Sequence, residues 1–177
     1  DAVPTHEIDK GLLASLAQVI EKSSEALERY DHTRALELAE SFFWTFTDDY
    51  LESVKDRAYV GDDDAKSSAV ITLRITLATL NRLFAPFIPF AAEEMWSWWQ
   101  QGSVHQAQWP TVEELGQTGD AHYLEVLTKA LAVIRKAKSD QKLSMKAEIE
   151  SATLLVPSGD EAYAKKLVED LKLVGRI

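Results

Sequence analysis

Cysteine is absent from all 177 residues, which excludes disulfide bridges and thiolate zinc sites alike. Glycine is scarce, at seven residues, and forms neither a phosphate-cradling loop nor a strained Gly-x-Ser-x-Gly turn. No apolar run is long enough to span a bilayer, and the N-terminus has no signal-peptide pattern, so no membrane partner is expected. Positive charge is also short. Nineteen Lys and Arg face 29 Asp and Glu, for a net charge of −10. That deficit argues against a general nucleic-acid binder. It leaves room for a local basic patch, because salt screens charges beyond about 8–10 Å.

Apolar residues make up 46% of the chain, enough for a real core, and their spacing is helical. Leu12, Leu16, Val19, Ile20 and Leu27 form one stripe. Asp31 or Thr33 can cap a second helix running from about Arg34 to Tyr59, with Leu38, Phe42 and Phe46 on one side and Ala39, Phe43, Tyr50 and Val54 beside them. Apolar residues over so wide an arc predict a nearly surrounded helix. The last Asp of Asp62-Asp63-Asp64 is suited to stabilising a third helix, with Val70, Leu73, Leu77, Leu80 and Phe84 in register. Pro86 stops it. Pro89 opens a fourth helix with Ile88, Ala92, Met95, Trp96 and Trp99 inward.

Residues 101–120 read as loop, with a short extended piece ending at Trp109-Pro110. A fifth helix over 121–139 carries Leu124, Leu127, Leu131 and Ile134. Residues 148–156 lean towards a strand. Ser158 and Glu161 form a capping-box pattern before a last helix with Tyr163, Leu167 and Leu171 inward. The chain is therefore predicted to be mainly α. An antiparallel helical bundle occupies residues 1–118, and a small C-terminal α+β appendage with a basic segment occupies 119–177.

Candidate chemistry is thin. His6, His32, His105 and His122 are scattered and read as exposed or turn residues, so neither a metal nor a catalytic constellation is expected. The clearest anomaly is basic. Arg135, Lys136, Lys138, Lys142 and Lys146 stand against a single acid, Asp140. Helix-dipole compensation accounts for two or three of these cations, and phosphate contact is the second reading. Lys55, Arg57, Arg74 and Arg82 could line a groove or pair with the abundant carboxylates. Trp98 falls off the inward face of its helix, one turn from Glu94. It can stack on an unpaired base or pack on the appendage.

Three blocks carry a resemblance. The first ends in Asp48-x-Tyr50-Leu51-Glu52-x-x-Lys55. The second runs Pro86-Phe87-x-Pro89-Phe90-x-x-Glu93-Glu94-x-Trp96, and the third is Trp109-Pro110. Their order and spacing over about residues 8–110 resemble the anticodon-binding domain of class I aminoacyl-tRNA synthetases for branched aliphatic amino acids. Trp44 and the Asp-Asp-Tyr-Leu-Glu text are most similar to valyl members, with isoleucyl members the nearest alternative.

The resemblance implies a fragment of a longer, cytoplasmic ligase, in keeping with a first residue that is Asp rather than Met. Transfer RNA and the remaining domains of the parent would be its partners. ATP and Mg would be handled elsewhere, with no cofactor and no catalytic residue in this chain. Lys142-Leu143-Ser144-Met145-Lys146 is similar to the synthetases' catalytic lysine loop. It follows the anticodon block instead of preceding it, and Met145 takes the place of a lysine. The implied role is a basic connector touching tRNA phosphate. The other expected contacts are base edges near Glu93 and Glu94, a stack on Trp98, and phosphate contacts from the lysines and arginines above. A helical protein-interaction module without an RNA ligand is the alternative from a different class.

Overall fold

The structure, a computed structural model, describes residues 3–177. Helix α1 (Glu7–Glu28) is followed by α2 (His32–Thr45), a π-helical segment (Phe46–Leu51) and α3 (Glu52–Val60). Every residue across the two junctions is helical, so α2, the π segment and α3 make one rod. Helix α4 (Asp63–Phe84), α5 (Pro89–Ser97), α6 (His122–Asp140) and α7 (Glu161–Gly175) follow. Single 3₁₀ turns at Val104–Gln106 and Glu113–Leu115 punctuate the loop between α5 and α6.

The capping logic of the sequence holds in part. The Asp31 carboxylate accepts from the Arg34 N–H at the start of α2. At α4 the capping residue is Asp62, the first of the three aspartates, which accepts from the Ala65 N–H at 2.8 Å. Pro89 occupies the first turn of α5. Helix α7 opens at Asp160 with no side-chain cap bond, so the Ser158–Glu161 capping box does not form.

One core unites the bundle. Leu12, Leu13 and Leu16 from α1 meet Phe42, Phe46, Tyr50 and Val54 from the rod and Leu80 and Leu83 from α4. Leu127 and Leu131 from α6, and Leu167 and Leu171 from α7, close the same cluster. Side chains on both sides of residue 118 thus exclude water from a shared interior. A small satellite core gathers Ala85, Ala92, Trp96 and Val104 beneath α5.

Four expectations are corrected. No strand exists among the described residues: 148–156 runs as irregular chain, and the C-terminal region is helical rather than α+β. A β-leaning segment needs a neighbouring strand to satisfy its N–H and C=O groups, and none lies beside this one. Helix α1 begins five residues earlier than its apolar stripe indicated, because the inward position at Asp9 is filled by a charge. The buried residues of α4 are Ala65, Ser68, Ala69, Thr72, Thr76, Thr79, Leu80, Asn81 and Leu83, so of the predicted inward residues Leu80 is buried while Val70, Leu73, Leu77 and Phe84 are only half-buried. Threonines present a methyl to the core and can return the hydroxyl to their own helix, as Thr72 does to the Ser68 carbonyl at 2.8 Å. Finally, the second helix is not surrounded, since Trp44 is exposed.

Candidate nucleic-acid interface

Helix α5 leaves the C-terminal end of α4 through Pro86 and is nine residues long. Ala92 and Trp96 anchor it to the satellite core. Residues 90, 94 and 98 lie at i, i+4 and i+8 and share its outward face. Phe90 is 89% exposed and Trp98 72% exposed, and Glu94 sits between them. The Trp98 indole N–H donates to the Glu94 carboxylate at 3.1 Å, which holds the ring in one orientation on the surface. The result is a platform of two exposed rings flanking a carboxylate acceptor, a geometry on which unpaired bases can stack. Ile88, also exposed, extends its apolar edge.

The support under this platform is polar and specific. The Glu93 carboxylate accepts the Ser103 hydroxyl and the Val104 N–H, both at 2.9 Å, and so ties α5 to the following 3₁₀ turn. Arg82 donates to Glu114 at 2.7 Å and to the Gln108 carbonyl at 3.3 Å, pinning the next loop to α4. Trp109 Nε1 donates to Ser24 at 2.8 Å, which seats that loop on α1. One Glu93 carboxylate oxygen and the Arg82 guanidinium therefore shape the surface.

A second group lies among α3, α6, the loop after α6 and the end of α7. Lys55, Arg135, Lys138, Lys146 and Arg176 line a cleft of 430 Å³ together with Glu52 and Asp56. Lys55 pairs with Glu52 at 2.6 Å. Arg135 donates to the Asp49 carboxylate at 2.6 Å and to the Asp48 carbonyl at 2.5 Å, so it locks α6 onto the π segment. Lys136 is exposed and pairs with Asp140 one turn on. Lys142 and Lys146 are exposed on the loop after α6, and Arg74 is exposed on α4.

Two predicted contact residues are interior. Arg57 is 7% exposed, and its guanidinium donates to both Asp9 oxygens at 2.8 Å and to Asp170 at 3.3 Å. Burial opposes its charge, but the hydrogen bonds and charge of Asp9, then the charge of Asp170, outweigh that and keep it protonated. Tyr50 donates to the same Asp9 at 2.7 Å. Burial first, and then Asp9, push the Tyr50 phenol well above its usual range, so it remains a donor. Lys138 is 2% exposed, with its ammonium donating to the carbonyls of Met145, Ala147 and Gly175 at 2.8–3.0 Å. All three Lys138 donors are used within the fold, and Arg57 is enclosed by Asp9, Asp170 and the Ala65 carbonyl, so neither side chain is presented to a phosphate.

Phe90 is the platform residue that periodicity alone passed over. It stands four residues before Glu94 and eight before Trp98, and an apolar residue recurring off the inward face was the available signal. Among the histidines, His122 has partners: Asp160 at 2.7 Å and Glu125 at 3.1 Å. Among the described residues, no group of three or more His, Asp or Glu side chains is arranged to hold a metal ion.

The bundle thus carries an exposed aromatic–acidic stripe on α5 and a separate cleft lined by cations of α3, α6 and the loop after α6. Residues 9–154 match the family described as the anticodon-binding domain of tRNA ligase, and the chain belongs to that family. It is 48% identical to a valine–tRNA ligase of Thermobifida fusca over 99% of its length. It is 49% identical to that of Leifsonia xyli subsp. xyli over 98%, and 43% identical to that of Cutibacterium acnes over 97%. In each case the chain spans 20% of the relative.

Proposed function

We propose that this chain docks the anticodon arm of a valine tRNA as part of a longer, cytoplasmic valine–tRNA ligase. In that polypeptide, ATP and Mg would be used by parts outside these 177 residues. The observation that carries the reading is the exposed Phe90–Glu94–Trp98 stripe in a chain of this family. Splayed anticodon bases stack on the two rings, and Glu94 offers a carboxylate acceptor to base-edge amino groups. Lys55, Arg74, Lys136, Lys142 and Lys146 contact phosphates and set the register of the arm. Arg82, Glu93 and Arg135 hold the surfaces in shape, and Arg57 and Lys138 act from the interior. Residues 119–177 form an appended unit that carries the basic loop.

The test is titration with an RNA hairpin bearing a valine anticodon. Phe90→Ala and Trp98→Ala should each weaken binding by about 1–3 kcal/mol, the worth of one base–aromatic stack, with an unchanged circular dichroism spectrum. Equal affinity of both variants and the wild type would sink the platform. A second hairpin with an isoleucine anticodon should bind more weakly; if it binds as tightly, valine selection lies elsewhere.

A further inference from the structure

His122 is the first residue of α6, and its ring sits between carboxylates of two helices. Nε2 lies 2.7 Å from Asp160 Oδ1 at the start of α7, and Nδ1 lies 3.1 Å from Glu125 Oε2 one turn along α6. A carboxylate oxygen only accepts, so both ring nitrogens must donate for both contacts to be hydrogen bonds. Only the imidazolium does that. Neutral imidazole has a single N–H, which leaves one carboxylate facing a ring lone pair and strips the other bond of its charge. The surroundings are mostly acidic. Asp120, on the preceding loop, accepts the His122 N–H at 2.9 Å and the Tyr163 hydroxyl at 2.6 Å. The Tyr163 ring of α7 stands edge-on to the imidazole, with centroids 4.8 Å apart. Lys129 lies 3.9 Å from Glu125, and Glu7 of α1 reaches the neighbouring Tyr123 through its charge. The bond to Asp160 is the largest influence on the imidazole and raises it above its ordinary range. The ring's partial loss of water works the other way, and the Glu125 bond adds to the rise. The positive end of the α6 dipole also disfavours the charge.

Asp160 has a second use. It precedes α7, where an aspartate ordinarily accepts from the N–H of the second or third helical residue, here Ala162 or Tyr163. It makes no such bond, and its backbone, at φ −99° and ψ −3°, is not the extended one that capping favours. Its carboxylate is committed to His122 at the expense of its own helix. We propose that His122 is a protonation latch between α6 and α7: the imidazolium holds Asp160 across the two helix starts, and the neutral ring releases it to cap α7. The two arrangements exclude each other, because each requires a different conformation of the same residue. A histidine raised in the folded state contributes stability that is fully present below its unfolded value of about 6.5. That contribution is lost as pH rises through the folded value, so the latch opens in the neutral range. The inference rests neither on RNA binding nor on a longer polypeptide.

The ring nitrogen shifts of His122, followed by NMR against pH in the 177-residue chain, test it. The midpoint should lie above about 6.5. Asp160→Asn should lower it, and Glu125→Gln should lower it less. Solvent-exchange NMR reads the release. Relative to their intrinsic rates, the Ala162 and Tyr163 amides should slow by about fivefold as pH passes that midpoint, the effect of gaining one cap. In His122→Phe, which keeps a ring against Tyr163 but has no donor, they should be slow at every pH. A wild-type midpoint at or below about 6.5 overturns the proposal. So does exchange at Ala162 and Tyr163 that is unchanged across the midpoint, or that follows pH alike in the wild type and His122→Phe. None of these readouts involves RNA, so failure of the anticodon reading and failure of this one are told apart.

Discussion

Asp170 links α7 to the bundle through Arg57, yet its own ionisation is costly. Burial raises its carboxyl above the usual range by more than the Arg57 charge lowers it, with Asp9 adding repulsion and His6 a small attraction. A carboxyl whose folded pKa exceeds its unfolded one binds the extra proton in the native state. Stability therefore falls as pH rises from the unfolded value through the folded one, and stays lower above it. Asp170→Asn removes this titration while an amide oxygen can still accept from Arg57. Denaturant unfolding at about pH 4 and about pH 7 should show a smaller loss for the variant than for the wild type. Parallel profiles would refute the argument. Lys138 is the opposite case, a buried cation fully hydrogen-bonded by three carbonyls. Lys138→Met strands those carbonyls and should cost about 1–3 kcal/mol. Because two of them belong to the basic loop, limited proteolysis should cut at 141–147 first.

Helix α4 shows how an element can be read correctly and its inward face misread. Its existence and limits follow from the Asp62 cap and Pro86, but Ser68, Thr72, Thr76 and Thr79 take buried places alongside Leu80 and Leu83. Thr72 returns its hydroxyl to the Ser68 carbonyl, whereas the Thr76 hydroxyl is buried with no partner among the described residues. An unsatisfied buried hydroxyl is a net cost, and valine has nearly the same shape. Thr76→Val should therefore raise stability by about 1 kcal/mol in urea unfolding, and Thr72→Val should not. A loss at Thr76 would show that its hydroxyl is satisfied after all. The rod from α2 to α3 illustrates a different effect. Its π segment places Tyr50 in the core while Asp49 still reaches Arg135 on α6, so one local change of helical turn serves two packing partners.

The molecule as a whole is acidic, with a net charge of −10, so the proposed RNA binding has to rest on charge gathered locally. Of the candidate contact residues, Arg74, Lys136, Lys142 and Lys146 are exposed and Lys55 is half-buried, on α4, α6, the loop after α6 and α3. If they touch phosphates, affinity should fall steeply with salt. Each Lys→Gln change among them should lower the slope of log affinity against log salt by about 1, uniformly across hairpin sequences. A salt-independent affinity would assign them to solubility alone.

The helices, their order and the family blocks were legible in the sequence because they rest on local rules: a period of 3.6, caps, prolines and spaced motifs. Three things were not. Arg57 read as lining a groove or pairing with one of many carboxylates, and nothing singled out Asp9, until the fold brought these residues, 48 apart, within 2.8 Å and buried both. Lys138 read as one of five basic side chains until the loop after α6 and the end of α7 supplied its carbonyls. Residues 148–156 carry the composition of a strand, but a strand is a pairing between segments, and composition cannot supply the neighbour. Local sequence therefore determined which elements form and where they stop. Only the packing of those elements decided which charges lie inside, which rings stand in the open and which backbone groups stay unpaired, because each depends on what distant parts of the chain place alongside.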